Sequence, residues 1–197
     1  MAARPGTATP KSAATREKIM AATAELMVER GGTDFQMAEV TSRCGMSKGA
    51  LYYYFPDKAE LVRAVLDRAV EGLVAEVERV VATAPSAGES IQGLMGALCE
   101  ATRPGGPLML AMAGAGVGAT PVEGLRLERI VDVLEAQLER AKGEGLARPE
   151  VNARLAAAAV AGAFLVFERV DVRATAADVL DLALRGVGTD AARELCA

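Results

Sequence analysis

Apolar residues recur along this chain at spacings of three and four, over stretches of helix length, and nowhere alternate with polar residues over the length of a strand. The pattern predicts an all-α protein. Residues 15–30 put Ile19, Ala22, Leu26 and Met27 on one face and stop at Gly31-Gly32, a helix C-terminal signal. Phe35 is expected to pack back on this helix. A short second helix over 36–43 buries Met37 and Val40, and Gly45 supplies the permissive turn position after it. Ser47 caps a third short helix by accepting a backbone N–H, and Leu51 and Phe55 share its core-facing side. Asp57 and Glu60 form a capping-box-like pair that opens a fourth helix. This one is long, carrying Leu61, Val65, Leu66, Ala69, Leu73, Val77 and Val80 inward as far as about Thr83, where Ala84-Pro85 ends it.

Further periodic stretches predict helices over 87–102, 107–117, 121–142, 149–172 and 175–185, about nine in all. Residues 1–14, rich in Ala, Thr, Pro and Gly, read as a mobile tail. The domains expected are a small N-terminal one over 13–73, with its turn motif at about 36–55, and a helical C-terminal one over 74–197. No linker separates Phe55 from the fourth helix, so the two share a rigid rod. The runs 107–122 and 155–167 are apolar but fall short of the roughly 20 residues of a membrane span.

Charge narrows the function only through its placement. The net charge is −4, and residues 1–60 carry 8 Lys/Arg against 7 Asp/Glu. DNA contact therefore has to come from local geometry, not from a global basic field. There is no histidine, which removes the commonest general base and metal ligand. Cys44, Cys99 and Cys196 form no CxxC pair, and with no apolar signal core at the start they suggest a reduced, cytoplasmic protein. The cysteines read as structural thiols. No enzyme activity, cofactor or metal is expected.

The most informative run is Gly45-Met46-Ser47-Lys48-Gly49-Ala50-Leu51-Tyr52-Tyr53-Tyr54-Phe55-Pro56-Asp57-Lys58. Three adjacent tyrosines with polar tips suit a surface lying against phosphates and base edges better than a core. Two short helices around a glycine, braced by a helix on each side, describe a helix-turn-helix unit. The competing reading makes the tyrosines packing residues and the lysines a solvated face. At least one tyrosine is expected to turn inward, with Tyr52 and Tyr54 both open to that role.

These residues, with Asp57-Lys58, Glu60-Leu61 and, in the first helix, Arg16, Ile19, Ala22, Ala24 and Leu26, resemble the N-terminal domain of the TetR (tetracycline-repressor-like) family of bacterial regulators. The resemblance covers the first third of the chain. It implies DNA contacts from Gln36, Ser47, Lys48, Gly49, Ala50, Tyr52, Tyr53, Tyr54 and Lys58. Gln36 departs from the usual Ser or Thr cap of the second helix, and Asp34 is the alternative cap. Thr41 and Cys44 replace more usual alanines. Lys58 sits in the first turn of a helix, where the dipole disfavours a cation, and a phosphate partner would offset that cost.

The resemblance further implies a homodimer built on the last two helices, with Leu155, Ala158, Ala159, Gly162, Val179 and Leu182 as interface candidates, and a small-molecule effector. Leu94, Met95, Leu98, Met109, Leu110, Met112, Phe164 and Phe167 are candidate pocket walls. With no Trp or Tyr after Phe55, an aromatic cage for a cationic drug is not expected, and the effector is read as mostly apolar. The function that follows is a dimeric one-component regulator, read as a repressor, that binds a near-palindromic operator in double-stranded DNA. The alternative is a helical small-molecule carrier or protein-interaction module with a vestigial DNA-binding domain.

Overall fold

The computed structural model describes residues 10–103, 105–114, 127–167 and 176–190. Nine helices run through them: α1 (Pro10–Arg30), α2 (Met37–Cys44), α3 (Lys48–Tyr54), α4 (Lys58–Thr83), α5 (Ala87–Ala101), α6 (Pro107–Gly114), α7 (Leu127–Gly143), α8 (Ala153–Phe167) and α9 (Ala176–Val187). No strand occurs among the described residues. A single antiparallel bridge joins Ala147 to Gly188. No helix among them is long and apolar enough to cross a membrane.

The cap residues explain most of the boundaries. Ser47 Oγ accepts from the Ala50 N–H at 3.2 Å, Asp57 Oδ1 from the Glu60 N–H at 2.7 Å, and Ser86 Oγ from the Glu89 N–H at 3.2 Å. Each satisfies a first-turn donor with no partner inside its helix. Between α2 and α3 the chain turns through Gly45 at φ 62°, a left-handed conformation that any side chain would strain.

Two expected boundaries move. α1 begins at Pro10, so the tail does not reach residue 14. Proline is favoured in a first helical turn, and the Thr15 hydroxyl already donates to the Lys11 carbonyl at 2.9 Å. α8 begins at Ala153 and not near 149. Asn152 Oδ1 accepts from the Leu155 N–H at 3.0 Å, and the Arg148 N–H is committed to the Val187 carbonyl at 2.9 Å. That second bond draws the preceding turn onto the end of α9. The expectations for residues 1–9, 115–126, 168–175 and 191–197 lie outside the described residues.

One apolar cluster runs from Ile19, Phe35 and Leu51 through Val65 and Val77 to Leu94, Leu134 and Phe164. It crosses the expected boundary at 73/74 inside α4, which continues unbroken for 26 residues, about 39 Å at 1.5 Å per residue. α6 packs against both α1 and α4, and α5 and α7 pack along the far half of α4. At Gly93 a Cβ would come within 2.6 Å of Val80, so the α4–α5 crossing depends on a residue without a side chain. The rod predicted from the sequence is thus the common spine of both halves.

Candidate nucleic-acid interface

The seven residues of α3 divide into two faces. Leu51, with Phe55 just past the helix end, is fully buried. On the other side Lys48 and Gly49 are exposed, Tyr52 is 39% exposed and Tyr53 is 82% exposed. Ala50 and Tyr54 lie between, half-buried, and Tyr54 packs on the core. Tyr54 is therefore the tyrosine that turns inward. It meets Tyr53 edge to face, with ring centroids 5.3 Å apart and planes at 87°, which steadies the outward ring. The Lys48 ammonium lies 5.7 Å from the Tyr52 ring centroid. The exposed face of α3 thus offers a capped helix end with one flexible cation and, about one turn further on, two phenol rings.

Side chains of α1 hold this helix in place. Arg16 Nη1 donates to the Tyr54 carbonyl at 3.1 Å, and its guanidinium sits 4.2 Å over the Phe55 ring. Lys18 Nζ donates to the Cys44 carbonyl at 2.9 Å. Both cations therefore sit at helix C-termini, where carbonyls lack partners and the dipole is negative. Arg43 reaches back from α2 to Glu29 with two hydrogen bonds, at 2.8 and 2.7 Å. Those bonds hold the Glu29 carboxyl below the usual carboxylate range and push Arg43 up. The Arg68–Glu17 pair at 2.7 Å ties α4 to α1.

Gln36, not Asp34, is the residue at the start of α2. Its backbone N–H donates to Glu39 Oε2 at 2.7 Å, and Glu39 also pairs with Arg30. The Gln36 side chain is exposed beside this ion pair. Lys58 differs from expectation. Its ammonium lies 4.7 Å from the Phe35 ring centroid, so a partner inside the chain offsets its unfavourable place in the helix dipole. The Cys44 thiol is buried beneath the motif, and burial pushes its pKa up, in keeping with a structural role.

A cavity of about 710 Å³ lies in the C-terminal half, between α5, α7, α8 and α9. Of the expected wall residues only Met95 lines it. Leu94, Leu98, Met109, Leu110, Met112 and Phe164 are buried in the core, and the Phe167 side chain lies outside the described residues. Large side chains fill space between packed helices, whereas the lining of this cavity includes the small residues Ala156, Ala159 and Ala163 of α8 and Gly186 of α9. On the outer face of α8, Leu155 (68%) and Ala158 are exposed and Gly162 is half-buried, whereas the exposed Ala159 lines the cavity. Leu182 of α9 is 67% exposed, but Val179 is only 5% exposed and belongs to the chain's own core. Val179 is therefore not available to a partner.

Residues 19–65 match the sequence profile described as bacterial regulatory proteins, tetR family. They span the end of α1, the two-faced α3 and the start of α4. Those residues form a TetR-family N-terminal domain. Over 68 residues it is 40% identical to the transcriptional activator FasR of Mycolicibacterium smegmatis, a stretch covering 34% of this chain but only 31% of that protein. It is 27% identical to the transcriptional repressor KstR of the same organism over 86% of this chain and 85% of that one. A solved γ-butyrolactone receptor, an ArpA-like protein, shares the fold with a TM-score of 0.67 and 20% identity, covering 95% and 94% of the two chains.

Just ahead of the matched stretch, Arg16 and Lys18 act as structural clamps that the spacing of the chain did not reveal. Each is one cation on a polar helix face, and its partner carbonyl lies 38 or 26 residues away. A basic residue on α1 in line with the C-terminal ends of the next two helices was the available signal.

Proposed function

We propose that this protein is a dimeric one-component transcriptional regulator of the cytoplasm. In this reading α3 enters the major groove of a near-palindromic operator, and a small, mostly apolar effector in the C-terminal half releases it. The observation that carries the reading is the division of α3: Leu51 and Phe55 anchor it, while Ser47, Lys48, Gly49, Tyr52 and Tyr53 stand outward along its exposed face. An α-helix fits the major groove, and a capped N-terminus suits contact with phosphate. Tyr54 contributes by bracing Tyr53, and Gln36 stands at the neighbouring helix start. Gel shift with DNA from upstream of the protein's own gene tests the reading, and a chain that bound it no better than unrelated DNA would overturn it.

The outer-face stripe of Leu155, Ala158 and the half-buried Gly162 supports a second copy on α8, because small residues at such spacing let two helices approach closely. Two-fold symmetry would then set the recognition helices about 34–36 Å apart, one turn of DNA. A glutamate in place of Leu155 is expected to leave the monomer folded and to shift the protein from dimer to monomer in sedimentation, with loss of operator binding. A dimer that persisted would remove α8 from the interface.

Release follows from a shift in populations. α7 is joined to α4 by the Arg129–Glu78 pair, and α4 carries Lys58 at its other end. An effector that favours a different α7–α4 packing would move the spacing of the recognition helices, to the extent of its differential affinity for the two states. Repression is supported by the long match to KstR, and a promoter–reporter assay separates it from activation. Lys58→Ala is expected to lower the slope of log affinity against log salt by about one unit, measured by gel shift over a salt series. An unchanged slope would assign Lys58 to Phe35 alone.

A further inference from the structure

Resting on the reading of the C-terminal half as an effector site, we infer that the cavity selects ligands with an aliphatic body and a head group that donates hydrogen bonds, and that it rejects anions. The volume of about 710 Å³ falls within the range of small-molecule sites, about 300–1,000 Å³. Its wall is aliphatic: Ile91, Met95, Leu134, Leu138 and Val160 face it, and among the described residues no aromatic ring does. Polar side chains gather at one end. Ser86, Glu89 and Gln92 lie on the first turns of α5, and Glu144 lies just past the end of α7. Met95 lies two turns further along α5, so the lining passes from polar to apolar over about 12 Å.

The sign of the charge decides the ligand class. Among the described residues both charged groups in the lining, Glu89 and Glu144, are carboxylates, and no Lys or Arg faces the space. The α5 N-terminus, the natural seat for an anionic head, is already occupied. Its Ala87 N–H donates to both Glu144 oxygens, at 3.2 and 3.0 Å, and Arg140 Nε donates to the same carboxylate at 2.9 Å. Glu89 has no ion-pair partner among the described residues and stays exposed at the rim. A carboxylate or phosphate head would meet like charge in a mostly apolar wall. A hydroxyl or ammonium would find acceptors.

Isothermal titration of the DNA-free full chain with 1-decanol, decylamine and decanoate, each below its aggregation concentration, tests this. Decanol and decylamine are expected to bind, with decanoate at least about tenfold weaker. Glu89→Arg, an exposed change, is expected to reverse the order in favour of decanoate. Ala163→Phe, which fills the cavity, is expected to abolish binding of all three, with circular dichroism confirming the fold. Equal affinity for the three heads, tighter decanoate, no binding at all, or an unchanged order in Glu89→Arg would each overturn the inference. Gel shift is a separate readout. A chain that binds decanol but no operator defeats the regulator reading alone, and one that binds operator but none of the probes defeats this inference alone.

Discussion

Phe55→Ala is expected to lower unfolding stability by about 3–5 kcal/mol, the cost of emptying a fully buried aromatic site. Phe55 is 0% exposed and ends the recognition helix, packed in the same cluster as Ile19, Leu51 and Leu61. Its ring also carries the Arg16 guanidinium, and that contact is worth about 0.5–1 kcal/mol more at a partly exposed site. Against a typical total of about 5–15 kcal/mol, the loss is severe. The denaturant midpoint should fall with an unchanged slope, and operator binding should fall with it because α3 loses its anchor. Phe55→Leu keeps most of the volume and should recover the larger part of both. A midpoint change worth less than about 1 kcal/mol would mean that the ring is not packed as described.

Tyr53→Ala, two positions earlier, should do the reverse. At 82% exposure the side chain has little to lose on truncation, so stability should stay within about 0.5 kcal/mol. Operator affinity should fall by about tenfold or more, the size of one hydrogen bond to a charged phosphate, about 1.5–3 kcal/mol. Tyr53→Phe separates the two ways the residue can act. If the hydroxyl holds a phosphate, phenylalanine should be nearly as weak as alanine. If the ring lies on thymine methyl groups, phenylalanine should keep most of the affinity. Equal gel-shift affinity for wild type and Tyr53→Ala would take Tyr53 out of the interface. The contrast between these neighbours is the functional content of α3: one residue holds the helix, the other faces outward.

Helix α3 also indicates how far the motif was legible. Its cap, its buried pair and its outward Lys48 and Tyr53 follow from residues within four positions of each other. Which tyrosine turned inward did not, because Tyr52 and Tyr54 are equivalent until α1 packs beside the motif. The same limit applied to Lys58. From the sequence its only evident partner was a phosphate, and the Phe35 ring came into reach only when the first loop folded over the start of α4. In the C-terminal half Met109, Met112 and Phe164, expected in a pocket wall, became core, and only Met95 kept a place in the lining. The space opened beside α8 instead, where alanines and glycines leave neighbouring helices unfilled.

By itself the sequence determined the helical class, the turn at Gly45, the caps at Ser47 and Asp57, the unbroken α4 and the family of the N-terminal domain. All of these rest on interactions between residues one helical turn apart, which a linear reading can see. Only the tertiary structure decided that Arg16 and Lys18 clamp the ends of α3 and α2, that Val179 is internal, and that the cavity's charged lining is carboxylate. Those outcomes depend on which helix faces meet across long separations in sequence, and spacing along the chain carries no record of that.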